Sequence, residues 1–111
     1  MGVTPERAVT ALRGWGAAAV GANCGTGPVE VLEVIRKMKA AAPETVQVAK
    51  PNAGVPELVD GRSVYRADTQ TMVSYALAAA QAGARVIGAC CGSTPDHLKA
   101  MAQALQKEGL L

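Results

Sequence analysis

The 111-residue sequence predicts a small α/β fold with parallel strands. Three observations carry that expectation. Short apolar runs fit for buried strands alternate with longer stretches whose apolar residues recur at helical spacing. The segments between successive runs are too long for hairpins, so the strands should run parallel with right-handed crossovers. The composition is rich in Ala, Val and Leu but holds no Phe, one Trp and two Tyr, which suits small-residue helices lying close on a parallel sheet. No linker or low-complexity tract divides the chain, and residues 1–111 read as one unit.

Taken in order, Thr4 and Pro5 supply an N-cap and first-turn pair for a short helix over PERAVTALR, which Gly14 ends. AAAVGANC is the first strand. Pro28 sits at the first position of the helix PVEVLEVIRKMKAAA, with Val31, Leu32, Ile35 and Met38 forming its apolar stripe and Glu33, Arg36, Lys37 and Lys39 in water. Pro43 stops it. TVQVAK is the second strand, and PNAGVPELVDGRSVYRA reads as a long loop. Asp68 caps a helix through TQTMVSYALAAAQAG, with Met72, Tyr75, Ala76 and Ala79 on its inner face and Gly83 as its stop. ARVIGACC is the third strand. Ser93 or Thr94 caps the last helix, Pro95 opens it, and Leu98, Met101 and Leu105 point inward.

Several function classes fall away. Formal charge is only +2, with acids and bases mixed, and no basic block or nucleic-acid motif is present. The richest apolar run, Val73 to Cys91, is broken by Gln81 and Arg85 before it reaches membrane-spanning length. MGVTPERAVT lacks the apolar core of a signal peptide, and MGVTPE lacks the Ser or Thr of a myristoylation signal. Three cysteines, an odd number, argue against a disulfide framework and for a reduced, cytoplasmic setting.

In parallel α/β folds functional groups collect beyond the C-terminal ends of strands. That rule brings Cys24, Asn52, Cys90 and Cys91 to one rim. Any one cysteine is explained as a small buried hydrophobe. The adjacent pair is not, because neighbours on a regular strand face opposite ways. Two readings remain for the three together: a vicinal disulfide, which leaves Cys24 unexplained, or three thiolate ligands of a metal such as zinc, with a fourth position open. Asn23 and Asn52 flank the cysteine loops, either as turn residues or as hydrogen-bonding supports. GTGP and the helix start after Gly92 could present backbone N–H groups to an anion. His97 is expected solvated in the first turn of the final helix.

VGANCGTGP, VAKPNAGVPEL and GARVIGACCGSTPDHLKAM, in that order, resemble the last three motifs of the homocysteine S-methyltransferase family. The resemblance spans nearly the whole chain, with Ala89 in place of a usual glycine and Ser93 in place of a common threonine. It implies the C-terminal part of a (β/α)8 barrel, about three βα units plus a leading helix. It implies Zn2+ held by Cys24, Cys90 and Cys91, and methyl transfer to the thiol of homocysteine to form methionine. Methylcobalamin, S-methylmethionine, S-adenosylmethionine and betaine all serve as donors in the family. A whole barrel needs about 250 residues, and the family's first-strand DG-x-x-GT motif is absent from this sequence. The resemblance therefore also implies self-association or pairing with an N-terminal barrel segment. The rival readings are a metal-binding but inactive barrel fragment and a dithiol redox protein using Cys90 and Cys91.

Overall fold

The computed structural model describes residues 2–111, so Met1 of the MGVTPE stretch lies outside it. The chain runs α1 (Pro5–Gly14), β1 (Ala19–Cys24), α2 (Pro28–Ala41), β2 (Val46–Pro51), β3 (Glu57–Val59), β4 (Arg62–Val64), α3 (Thr69–Gln81), β5 (Val86–Ile87) and α4 (Pro95–Lys107). The main sheet has the order β1-β2-β5, all parallel, with Ala19 opposite Val46 and Val48 opposite Val86. Each helix begins where the sequence says it should. The side chains of Thr4, Asp68 and Thr94 accept from the N–H groups of Arg7, Thr71 and His97, and prolines open α1, α2 and α4.

Alternation along the strands sends Val20, Gln47, Ala49 and Pro51 into the helices. There Ala49 joins Val31 and Ile35 of α2, Met72, Tyr75, Ala76 and Ala79 of α3, and Met101 and Leu105 of α4 in the main core, while Val20 packs with the residues under α1. Val9 and Met38 close a smaller cluster under α1. Gln47 is wholly buried in this layer and turns its amide onto the backbone of α2, donating to the Ile35 carbonyl at 2.9 Å and accepting from the Lys39 N–H at 2.8 Å. The other face of the sheet carries no helix. Val46 is 41% exposed and Val86 50%, and the molecule is only 18 Å thick along its shortest axis.

The Tyr75 hydroxyl donates to the Ala49 carbonyl at 2.7 Å inside the core, and burial pushes its pKa well above the usual phenol range. Ala49 also accepts from the Gly88 N–H at 2.9 Å, so its carbonyl keeps a partner without the phenol. Tyr75→Phe is thus expected to cost about 1 kcal/mol, one net hydrogen bond. Urea unfolding should show a lower midpoint with an unchanged m-value.

Five expectations need correction. The stretch read as a long loop contains an antiparallel hairpin, β3–β4, turned at Asp60 and Gly61. Both residues have positive φ, 50° and 77°, as a two-residue type I′ turn requires, and Asp-Gly is the sequence signal for it. The third strand is two residues long, Val86 and Ile87, paired with β2 at Val48 and Ala49. Leu98 is 47% exposed rather than inward, and Lys39 is half-buried, its stem lying against Gly83. His97 is half-buried too, with both ring nitrogens within hydrogen-bond distance of partners.

Candidate metal centre

Cys24 ends β1, and Cys90 and Cys91 follow β5, so the rim beyond the strand C-termini holds all three. Cys24 departs from strand geometry with φ 61°, and Gly25 follows at φ 68°. This left-handed pair turns the chain sharply off the sheet, at a cost of about 1 kcal/mol or more for the non-glycine residue. The Cys24 and Cys90 sulfurs lie 3.0 Å apart and those of Cys90 and Cys91 3.9 Å. All three Sγ atoms fall within 4.8 Å of one another, and no pair is bonded. Three thiolates on one zinc, with bonds of about 2.3 Å at tetrahedral angles, stand about 3.8 Å apart. The observed separations bracket that value, so the residues fit the ion.

Asn52 joins the two loops that carry these thiols. Its side chain is buried; Nδ2 donates to the Gly25 carbonyl at 2.9 Å and Oδ1 accepts from the Cys91 N–H at 3.0 Å. Its own N–H donates to the Cys24 carbonyl at 3.2 Å. The flanking N–H groups of Cys90 and Ala53 donate to the carbonyls of Pro51 and Cys91 at 2.7 and 2.9 Å. Asn23 is exposed on the open face of the sheet, and its Nδ2 donates to the Cys24 sulfur at 3.3 Å. Sharing a hydrogen bond splits the two closest thiols. The contact with Cys90 pushes Cys24 up to about 11, and the same contact holds Cys90 below its ordinary range, helped by the Cys91 backbone N–H and Asn23.

Tyr65, which belongs to none of the motifs that point to the site, stands at the same rim. Its ring lies against Gly92, so closely that a Cβ there would collide with it, and Gly92 has φ 76°. Burial, followed by the neighbouring Cys91 sulfur, pushes its phenol pKa up. Only the position after the Asp60–Gly61 turn foreshadows this placement, since the hairpin is what returns residue 65 to the rim. The GTGP segment proves less open to an anion than expected. The Thr26 N–H and hydroxyl already donate to Glu30 Oε2, at 2.6 and 3.1 Å.

The short Cys24–Cys90 contact sets a chemical expectation. In chelator-treated, reduced protein, hydrogen peroxide should link these two sulfurs before it links the adjacent pair. The two thiols lose their protons, one S–S bond forms, and the peroxide is reduced to water. Peptide mapping will identify the product, and a Cys90–Cys91 bridge as the first species would contradict it.

The homocysteine S-methyltransferase family model matches residues 1–105. The chain is similar to methionine synthase of Mycobacterium leprae, at 36% identity over 90% of this chain, and to methionine synthase of Mycobacterium tuberculosis, at 35% over 88%. It spans 8% of the length of each.

Proposed function

Because the chain belongs to the homocysteine S-methyltransferase family, we propose that it is the zinc-bearing portion of a (β/α)8 barrel that transfers a methyl group to homocysteine, giving methionine. The observation that carries this reading is the convergence of the Cys24, Cys90 and Cys91 sulfurs at one strand rim. The parallel order β1-β2-β5, with helices on one face and a bare opposite face, is the arrangement expected of successive βα units whose bare face lines a barrel interior.

In this reading Cys24, Cys90 and Cys91 hold the ion. Zinc, when bound, would lower the pKa of the homocysteine thiol and keep it as a thiolate at neutral pH. The remaining work belongs to the protein. Asn52 keeps the Cys24 loop and the Cys91 loop at fixed separation through its two side-chain hydrogen bonds. Asn23 offers an N–H to the Cys24 sulfur, moderating its charge. No side chain of this segment is needed as a general base, since a homocysteine thiol held at such a site would release its proton to solvent. Cys91 is exposed, so walls that exclude water from the reacting sulfur would come from other barrel units. Among the described residues no helix is long and apolar enough to cross a membrane, and free thiols in this number suit the cytoplasm.

The test pairs zinc content with turnover. The reduced chain alone should bind one zinc, and methyl transfer should appear only with the complementary barrel segment. The segment can be taken from a methionine synthase, with homocysteine and each candidate donor offered in turn. Zinc binding without turnover in any combination would favour the inactive metal-binding reading, which the exposure of Cys91 makes the second choice.

A further inference from the structure

We propose that His97 is a positioning residue for the cysteine pair, acting through two backbone links without touching a sulfur; the proposal rests on the reading of that pair as metal ligands. The Thr94 N–H donates to His97 Nδ1 at 3.0 Å, and the Thr94 hydroxyl lies 2.8 Å from the same nitrogen. His97 Nε2 stands 2.9 Å from the Ala67 carbonyl oxygen. The Ala67 N–H donates to the Ala53 carbonyl at 3.0 Å, and the Ala53 N–H donates to the Cys91 carbonyl at 2.9 Å. From Cys91 the chain returns through Gly92 and Ser93 to Thr94. The result is a closed circuit with the cysteine pair on one side and the imidazole on the other.

The chemistry of the partners fixes the ring. A backbone N–H can only donate, so Nδ1 is the acceptor; a carbonyl can only accept, so Nε2 carries the proton. One neutral tautomer satisfies both, and a ring protonated on both nitrogens would set N–H against N–H. The circuit matters because little else holds the segment. β5 ends at Ile87 on a sheet edge, so residues 88–94 have no strand on their outer side. Cys90 and Cys91 depend on hydrogen bonds to Pro51, Asn52 and Ala53. Ala53 is held in turn by Ala67, and Ala67 by His97. The imidazole thus ties the start of α4 to the residue before the Asp68 cap of α3, across the segment on which Cys91 rests.

Two variants of the full chain separate this role from helix capping. His97→Glu keeps an acceptor for the Thr94 N–H, the residue type of an ordinary capping box, but offers the Ala67 carbonyl no donor. His97→Gln carries acceptor and donor on one planar group. Zinc affinity by chelator competition should fall about tenfold or more in H97E, within the range for residues that orient metal ligands, and recover in H97Q. The thiolate-to-metal bands of the cobalt-loaded protein should shift in H97E only. Affinity and bands unchanged in H97E would overturn the proposal. An equal loss in both variants would do so too, assigning His97 to the folding of α4. Should the parent chain take up no metal, the metal reading fails separately, and amide exchange at Ala53 decides: about tenfold faster in H97E than in H97Q supports the circuit, and equal rates refute it.

Discussion

Cys24→Ser is expected to abolish high-affinity zinc binding while leaving the fold in place. A serine hydroxyl has the shape of the thiol but stays protonated where a thiolate forms, so the site would drop from three anionic ligands to two. The loss should exceed the roughly 100-fold that follows from removing an outer hydrogen-bond partner. Stability should change little, because Cys24 is half-buried at a strand end and belongs to neither core cluster. The backbone turn at φ 61° is as accessible to Ser as to Cys. Cys90→Ser and Cys91→Ser should behave alike, and chelator competition with a chromophoric indicator measures all three. Full zinc retention by the Cys24→Ser protein would remove β1 from the site and reduce the candidate centre to an adjacent pair.

The sequence reached this site by two routes of unequal strength. Helix starts were legible because each has a local chemical signal: Thr4, Asp68 and Thr94 accept from backbone N–H groups three residues on, and proline stands at the first position of three helices. The rim position of the cysteines followed from the alternation of strand and helix, a regularity that does not depend on side-chain detail. What escaped was set by tertiary context. The Asp60–Gly61 turn was visible as a dipeptide, but strands of three residues leave too little alternation to announce a hairpin. Leu98 occupies a helix-face position at apolar spacing and is exposed all the same, because whether a face is covered depends on what lies opposite. His97 looked solvated because its partner Ala67 is a backbone carbonyl thirty residues away, and a carbonyl has no sequence signature. Gln47 was invisible for a similar reason: its partners are backbone groups of a neighbouring helix.

The chain on its own is expected to associate, and the uncovered face of the sheet is the reason. β1, β2 and β5 bury one face under helices and leave Ala19, Gly21, Val46, Val48 and Val86 on the other. Val46 and Val86 alone are 41% and 50% exposed. Both outer strands also present unpaired backbone groups, which promote strand addition. A second apolar surface lies along α1, where Val3 is 67% and Trp15 81% exposed. A patch of this kind is rare on a stable monomer and marks a contact surface. Sedimentation velocity at micromolar concentration should therefore show a dimer or larger species, or a monomer only when a complementary barrel segment is supplied. Replacing Val46 and Val86 together by Lys should shift the distribution toward monomer, since a charge on each strand opposes burial of that face. Zinc content should survive the shift, because Cys24, Cys90 and Cys91 sit beyond the strand ends rather than on the covered face. A cooperative, unmodified monomer at the same concentration would mean that these βα units cover their own core, and the reading of the chain as a dependent part of a barrel would fall with it.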